Sequence, residues 1–186
     1  FSSMEYDGIK ARGLSSMVEV HVQTLVVSTA PAPCVLVLQP LLEKPTETDD
    51  HVSSRIIPIW VGVAEATQLG VALENAKFAR PMTHDLMLDA LTNLDTRVDH
   101  VLISDVRGSM FFARLILRHH DRLIELDARP SDAISLALRQ NAPLYVEDSV
   151  LDRASYPFVY RKRADRAGEL EAFKTFVQTL EPEDFE

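Results

Sequence analysis

The chain has 186 residues, of which 46% are hydrophobic and 25% are charged, and its formal net charge is −9. This length supports one hydrophobic core rather than two independent domains, and the composition excludes a disordered or fibrous protein. The acidic balance disfavours strong nonspecific binding to nucleic acid, which depends on many Lys or Arg contacts to phosphates. If the protein acts on nucleic acid, we therefore expect a local basic patch or a bridging cation.

Cys34 is the only cysteine, so an intramolecular disulfide and a cysteine-type zinc site are both excluded. It lies in an apolar run, which predicts a buried residue rather than a nucleophile. The apolar segment at residues 25–38 is interrupted by Ser, Thr and Pro and does not approach the roughly 20 residues of a membrane helix. We therefore expect a cytoplasmic protein without a membrane-spanning segment or a secretory leader.

The first part of the chain has the pattern of β-structure. Apolar and polar residues alternate at 17–27, which predicts a strand with one solvent-facing side, and residues 35–38 form a continuously apolar strand. The polar stretch 39–55 predicts a loop or a wide hairpin. Residues 55–61 return to the sheet, where Pro58 indicates an edge position or a bulge.

Two helices are predicted next. The first covers residues 64–76 with Glu65 in its first turn, and its inward side comprises Leu69, Ala72 and Leu73. The second begins near Thr83, and its predicted apolar stripe comprises Leu86, Ala90, Leu91 and Leu94. Strands at 98–106 and 110–117 then form a tight hairpin through Arg107-Gly108-Ser109.

The remaining elements complete an α+β fold. We predict a strand at 123–126, a helix from Ser131, a short strand at 143–146 and a turn at 149–152. The expected architecture is a mixed, largely antiparallel sheet flanked by helices in a single domain at 1–152, with a linker at 153–167 and a C-terminal helix and acidic tail at 168–186. The apolar side of this helix and tail includes Phe173, Phe176 and Phe185. It needs a surface to cover it, which predicts at least a dimer.

The segment 127–134 places two carboxylates and a guanidinium where an apolar strand meets a helix. Backbone N–H groups at a helix start attract anions, and Arg129 beside them can bind a phosphate through two hydrogen bonds. Asp127 and Asp132 lie on either side of it. Alternatively, Ser131 and Asp132 only cap the helix and complement its dipole, an effect of about 1 kcal/mol or less each.

A second segment repeats this pattern. Residues 79–86 again contain Ala-Arg-Pro, then a hydroxyl residue expected to cap a helix, then an aspartate in its first turn. The two segments could converge on one cleft and bring together Arg80, Arg129, Asp85 and Asp132. His84, between Thr83 and Asp85, would then be available as a general base or a ligand near neutral pH.

These motifs occur together in an ordered pattern, which includes Ile57-Pro58-Ile59-Trp60-Val61-Gly62, Glu65-Ala66, Arg80-Pro81-Met82-Thr83-His84-Asp85-Leu86, Asp127-Ala128-Arg129-Pro130-Ser131-Asp132-Ala133-Ile134, Pro143 and Val150-Leu151-Asp152. The pattern resembles the bifunctional nuclease domain family, most specifically over residues 57–152. The resemblance implies an α+β domain that assembles as a homo-oligomer and cleaves both DNA and RNA with little sequence preference. It does not supply a catalytic assignment, which has to come from the residues themselves.

The leading hypothesis is a metal-assisted nuclease. Hydrolysis of a phosphodiester needs an activated water and neutralisation of charge on the phosphoryl oxygens, and a divalent ion held by carboxylates supplies both. The expected oxygen ligands of Mg²⁺ or Mn²⁺ are Glu65, Asp85, Asp127 and Asp132. His84 would be the base or proton shuttle, and Arg80, Arg129 and Ser131 would bind the phosphate.

Two other hypotheses compete with the nuclease. In the first, the two Arg-Pro segments form a non-catalytic module that binds an anion or a phosphorylated partner, which suits the net charge of −9. In the second, the Asp and Arg residues only pair with each other and the oligomer interface carries the function. The arrangement of Asp85, Asp127 and Asp132 around a solvent-reachable pocket is the feature that separates these hypotheses.

Overall fold

A computed structural model describes residues 16–28, 33–41, 46–47, 51–161 and 175. Over these ranges the chain forms a nine-stranded sheet with helices, which confirms the predicted α+β class. The strands are β1 (Met17–Val26), β2 (Cys34–Pro40), β3 (Thr46–Glu47), β4 (His51–Val61), β5 (Thr96–Arg107), β6 (Met110–His119), β7 (Arg122–Ala128), β8 (Leu144–Glu147) and β9 (Tyr156–Arg161). The helices are α1 (Val63–Leu73), α2 (Thr83–Asn93), α3 (Pro130–Gln140) and α4 (Asp148–Ala154).

The sheet is mixed and largely antiparallel, as the alternation patterns predicted. Its strand order is β3-β4-β2-β1-β8-β5-β6-β7, and β9 pairs with β4. Within the described ranges, β5 and β8 are the one parallel pair. Residues 57–61 of β4 pair with β2, whereas residues 51–56 pair with β9, so Pro58 lies where no strand pairs on its other side among the described residues. This confirms the predicted edge position, which Pro tolerates because it has no N–H to donate.

The main hydrophobic core lies between one face of the sheet and the helices. In β2, Cys34, Leu36 and Leu38 face this core, while Val35 and Val37 face a smaller cluster on the other side. Cys34 is fully buried, as predicted. All four helices contribute apolar side chains to the main core, so their N-terminal turns are held in fixed positions relative to the sheet.

The apolar side of α2 differs from the predicted stripe. Leu88 is buried and Leu91 is half-buried, whereas Leu86 and Leu94 are 60% and 66% exposed and Ala90 is exposed. The helix packs against α3 and β5. A narrow contact through Leu88 and Leu91 therefore attaches α2 to the core, and much of the apolar side predicted from its sequence faces solvent.

Both helix starts in the repeated motif also lie earlier than expected. The N-cap residues are Met82 and Arg129, not Thr83 and Ser131. Pro130 occupies the first position of α3, where its fixed φ angle suits a helix. Because a backbone N–H at this position makes no intrahelical hydrogen bond, the lack of an N–H in Pro costs nothing. Ser131 is consequently a buried residue inside the first turn rather than a cap.

The region predicted as a turn followed by an irregular segment is regular in the structure. Residues 148–154 form α4, and residues 156–161 pair antiparallel with β4 as β9. Tyr156 and Phe158 pack on the smaller hydrophobic cluster, and their alternation was the sequence signal for a strand. The rest of the predicted linker and the C-terminal helix lie outside the described residues, except Thr175, which is helical. None of the helices in the described ranges is both long and apolar enough to cross a bilayer.

Candidate active site

The first turns of three helices surround one pocket of about 240 Å³. The pocket is lined by Ala64 and Glu65 of α1, Thr83 and His84 of α2, and Ser131 and Asp132 of α3, together with Arg129, Gln68 and Ser135. The repeated motif predicted that the starts of α2 and α3 share a cleft, and this is confirmed. The start of α1 joins them through Glu65, which was predicted as a site residue, although the repeated motif did not include this helix.

The same position carries an acidic residue in all three helices. Glu65, Asp85 and Asp132 are each the third residue of their helix. A carboxylate in this turn interacts favourably with the positive end of the helix dipole, and the free backbone N–H groups there attract anions. The N-terminal end of each helix is therefore already partly compensated by its own carboxylate, and two of these carboxylates, Glu65 and Asp132, line the pocket.

Arg129 connects two of these carboxylates. Its Nε and Nη2 donate to Asp132 at 2.8 and 3.2 Å, and its Nη1 donates to Glu65 Oε1 at 2.9 Å. The hydrogen bonds that Arg129 donates to Asp132 and then to Glu65 raise the pKa of its guanidinium, so the side chain keeps its charge at every physiological pH. The side chain is 64% exposed, which leaves it accessible to an anion from solvent.

Gly62 provides the space in which Glu65 reaches Arg129. It is the N-cap of α1 and has an ordinary extended conformation, with φ −70° and ψ 165°. A Cβ atom on this residue would lie 2.5 Å from Glu65 Oε2, closer than van der Waals contact allows. An alanine at this position would therefore displace the Glu65 carboxylate, the flexible end of a side chain, and would not strain the backbone.

His84 lies between two polar neighbours at the pocket. Its Nδ1 is 3.4 Å from Gln68 Oε1, and its Nε2 is 3.6 Å from Asp132 Oδ1. The imidazole side chain is 15% exposed, so it is shielded yet still reached from the pocket. A histidine with one ring nitrogen held and the other next to a carboxylate can take up a proton.

Asp85 does not line the pocket. Its Oδ2 accepts from the backbone N–H of Met82 at 3.1 Å, and its Oδ1 accepts from Nε of Arg139 at 2.9 Å. Both carboxylate oxygens thus stabilise the start of α2 and its contact with α3. Arg139 was not predicted as a site residue, and its position in the last turn of α3 gave no signal beyond an expected preference of cations for helix ends.

Asp127 and Arg80 are also outside the pocket lining. On β7, Asp127 is in register with Arg114, whose neighbour Ala113 belongs to the main core. Because side chains alternate along a strand, Asp127 points to the face of the sheet opposite the helices. Arg80 is exposed in the connection between α1 and α2 and forms no hydrogen bond or ion pair with any residue that the structure describes.

The four predicted metal ligands therefore do not converge. Among the described residues, no group of three or more His, Cys, Asp or Glu side chains is arranged to hold a metal ion. Glu65 and Asp132, the two predicted ligands that line the pocket, face the Arg129 guanidinium. As arranged, these residues do not fit a metal centre built from protein ligands alone.

Two serines complete the polar lining. Ser131 was predicted to bind phosphate, and it does line the pocket in the first turn of α3. One turn further on, Ser135 is only 1% exposed, and its Oγ has no hydrogen-bond partner among the residues described. Buried hydroxyl groups are nearly always hydrogen-bonded, so an unpaired one beside a pocket indicates a place for a bound molecule or an ordered water.

The fold and the pocket together define an α+β domain with a pocket at three helix starts that is lined by His84, Arg129 and two carboxylates. Residues 47–158, more than half of the chain, match the bifunctional nuclease domain, and the chain belongs to that family. It is 37% identical to an uncharacterised protein of Mycobacterium tuberculosis over 136 residues, 70% of this chain and 81% of that protein.

Two rice proteins are more distant relatives. Bifunctional nuclease 1 of Oryza sativa is 29% identical over 97 residues, which cover 50% of this chain and 29% of the rice protein. Bifunctional nuclease 2 of the same plant is 30% identical over 101 residues, covering 53% of this chain and 31% of its own length.

Proposed function

We propose that this protein is a nuclease that hydrolyses phosphodiester bonds of DNA and RNA at the pocket between α1, α2 and α3. The observation that carries the proposal is the convergence of three helix starts with Arg129 and His84. Anion attraction, a permanent cation and a proton acceptor are the groups that phosphodiester hydrolysis needs in one place. The names of the rice relatives support the same activity class.

Arg129 is the proposed phosphate-binding residue. A guanidinium has five N–H donors, and the contacts to Glu65 and Asp132 use three of them. The remaining donors are available to the oxygens of a phosphodiester, and the backbone N–H groups at the start of α3 add further attraction. This arrangement stabilises the charge that develops on the phosphoryl oxygens in the transition state.

His84 is the proposed general base. A water oxygen attacks phosphorus while His84 Nε2 takes one of its protons, so that a new P–O bond forms. The bond from phosphorus to the leaving oxygen then breaks, and that oxygen takes a proton from solvent. Asp132 Oδ1, 3.6 Å from Nε2, stabilises the imidazolium formed in the first step.

The pocket size suits the proposed lack of sequence preference. Its volume of about 240 Å³ is below the roughly 300–1,000 Å³ of sites that enclose drug-sized ligands. We expect a phosphate group and a water to enter, and the proposed contacts from Arg129 are to the phosphate alone. An enzyme that contacts mainly the phosphate backbone does not distinguish sequences directly.

Mg²⁺ or Mn²⁺ stays a prediction. Mg²⁺ is commonly held by one or two carboxylates together with substrate phosphates and waters, so Glu65 and Asp132 would be the candidates when the substrate is present. Since these carboxylates face Arg129, the mechanism above uses His84 and Arg129 and assigns no step to a metal.

A cleavage assay on fluorescent single-stranded DNA and RNA of mixed sequence tests the proposal. We expect His84→Gln to lower kcat by about 10²- to 10⁴-fold. His21→Gln is the matched control, because His21 is an exposed histidine on β1 in register with Gln39 and does not line the pocket. Equal cleavage by both variants, or no cleavage by the parent protein, would reject the proposal.

A non-catalytic anion-binding module is the second candidate function. The carboxylates of Glu65 and Asp132 already pair with Arg129. A ligand has to replace these partners, which favours a binding site over an active site with rapid turnover. This candidate predicts that phosphate or a phosphorylated peptide binds with no cleavage. Isothermal titration with inorganic phosphate, run beside the cleavage assay, separates the two functions.

We further propose that the protein is a homo-oligomer, at least a dimer, in the cytoplasm. β7 is the last strand in the sheet order, and it exposes Leu123, Ile124 and Leu126. An exposed strand edge with apolar side chains is a surface that a second chain can cover. Cys34, which is buried and free, suits a reducing compartment.

A further inference from the structure

We propose that Arg139 is a positioning residue that acts through Gln68 to hold His84 in the tautomer with the proton on Nδ1. This arrangement leaves Nε2 free to accept a proton. The structural part of the inference concerns three side chains and their hydrogen bonds. Its consequence for catalysis rests on the proposed nuclease function.

Arg139 is a nearly buried cation between three helices. Its side chain is 8% exposed, and its Nη1 donates to the backbone carbonyl of Ser135 at 3.0 Å. Its Nη2 lies 3.3 Å from both the backbone carbonyl and the side-chain Oε1 of Gln68 on α1. Together with the bond from Nε to Asp85, these contacts hold the guanidinium in one orientation.

The guanidinium determines which end of the Gln68 amide faces it. Arg has only N–H donors, so the amide must present its oxygen and not its NH₂ group. The NH₂ group of Gln68 lies toward Met82, with Nε2 3.9 Å from the thioether sulfur, a weak acceptor. If the amide were flipped, its NH₂ group would face the N–H donors of Arg139. The contact of Oε1 with Arg139 and the contact of Nε2 with Met82 would both be lost.

The orientation of Gln68 then determines the protonation of His84. Nδ1 of the imidazole is 3.4 Å from the same Oε1 that Arg139 contacts. Because that oxygen only accepts, a hydrogen bond between the two atoms requires Nδ1 to be the donor. A neutral imidazole has one N–H, so Nε2 carries the lone pair.

The tautomer matters because of where Nε2 lies. This nitrogen is 3.6 Å from Asp132 Oδ1, at the pocket. The opposite tautomer would direct its N–H at the carboxylate and leave no lone pair for the attacking water. Arg139 and Gln68 therefore keep His84 ready to accept a proton before the substrate arrives, in the way that a buried partner orients a catalytic histidine in other hydrolases.

The experiment is ¹⁵N-detected ring correlation NMR on the full chain at about pH 9, where imidazoles are neutral. His84→Gln assigns the signal by its disappearance. We expect the protonated nitrogen of His84 to be Nδ1. A proton on Nε2 in the parent protein overturns the inference without any variant.

Three variants test the route from Arg139. Gln68→Leu removes the acceptor, and we expect the His84 proton to move to Nε2 and kcat to fall on the order of 100-fold with little change in KM. Gln68→Glu keeps an acceptor at the same position and should retain the Nδ1 proton. Asp85→Asn removes the negative charge beside Arg139 but leaves the contact of Arg139 with Gln68, so the tautomer should be unchanged.

Replacing Arg139 itself completes the test. Arg139→Met removes all donors, and in the folded variant we expect a mixture of the two His84 tautomers because the Gln68 amide is free to flip. An unchanged tautomer in Arg139→Met or in Gln68→Leu would overturn the inference. The NMR readout does not depend on cleavage, so an Nδ1 proton in a protein without nuclease activity would reject the proposed function and keep the positioning role.

Discussion

Nη1 of Arg129 donates to Oε1 of Glu65 at 2.9 Å, although the two residues are 64 positions apart in the chain. The contact joins the start of α1 to the residue that caps α3, and both residues line the pocket. A phosphodiester that binds Arg129 has to share the guanidinium with Glu65 and Asp132. Under the proposed function, we therefore expect substrate affinity to depend on how these two carboxylates are placed as well as on Arg129 itself.

Gly62→Ala is expected to disturb this contact. The new Cβ would lie 2.5 Å from Glu65 Oε2, so the carboxylate has to move and its bond to Arg129 is weakened. We expect kcat/KM to fall about tenfold, with a small loss of stability because Ala is a poorer N-cap than Gly. Steady-state cleavage and urea unfolding measure the two effects.

Gly70→Ala on the same helix is the control for this variant. The nearest atom to its new Cβ is Leu25 Cδ2 at 3.9 Å, an ordinary contact, and Ala is favoured over Gly inside a helix by up to about 1 kcal/mol. We expect normal activity and slightly higher stability. A double variant tests the route of the effect. If Gly62→Ala lowers the activity of the Glu65→Ala variant by the same factor as that of the parent protein, Glu65 does not mediate the effect.

The variants Asp132→Asn and Asp127→Asn test whether activity depends on the pocket or on the full set of predicted metal ligands. Asp132 contacts both Arg129 and His84, and we expect its Asn variant to lose at least tenfold in kcat with the fold retained. Asp127 points to the other face of the sheet, and its variant should cleave like the parent protein. A dominant loss in Asp127→Asn would instead favour its predicted role as a metal ligand.

Local sequence signals predicted the parts of the site that depend on local structure. Alternation and turn residues predicted most strands and the hairpin through Gly108, and the repeated Arg-Pro motif predicted that two helices begin beside one cleft, within one residue of the observed starts. These features depend on residues within a few positions of each other. The α4 helix and β9 were missed because their formation depends on packing against distant strands.

The pairing of charged groups could not be predicted from the same signals. Motif spacing placed Asp85, Asp127 and Asp132 together as ligands, but the side of the strand that Asp127 occupies is set by the register of β7 with β6. The role of Asp85 is set by Arg139, which lies 54 positions away in the chain. Such contacts arise only when the helices have packed on the sheet.

The need for a metal ion is tested by chelation. The sequence-based prediction is that EDTA abolishes cleavage and that Mg²⁺ or Mn²⁺ restores it, since a hard cation bound by carboxylates and phosphate supplies charge neutralisation. Activity that survives EDTA after dialysis would contradict this prediction and favour the mechanism that uses Arg129 and His84 alone. Thermal unfolding with and without EDTA serves as the control for folding.

The oligomer prediction is tested at β7. Leu126→Lys places a charge on the exposed strand edge, and Leu86→Lys places the same charge on the exposed side of α2. We expect the parent protein to be at least a dimer by light scattering at micromolar concentration and Leu126→Lys to shift it toward the monomer, because a buried unpaired charge opposes association. A monomeric parent protein would reject the oligomer. Dissociation by Leu86→Lys but not by Leu126→Lys would indicate that the interface lies at α2 instead.

Asp105 makes stability depend on acid pH. Hydrogen bonds from Arg153 and Arg107 and from the backbone N–H of Val106 lower the pKa of its carboxyl group from the ordinary 3.8 to about 2. Because the folded state holds the proton less tightly than the unfolded state, the ionised carboxylate stabilises the fold above about pH 4, and this contribution is lost as the pH falls toward 2.

Asp105→Asn should therefore lower the free energy of unfolding at pH 7, with a difference that shrinks below pH 4. Asp89→Asn, on the exposed side of α2, is measured beside it in urea unfolding as the control for the loss of one carboxylate. A difference between Asp105→Asn and the parent protein that stays constant from pH 7 to pH 3 would contradict the assignment of these interactions to the charged carboxylate.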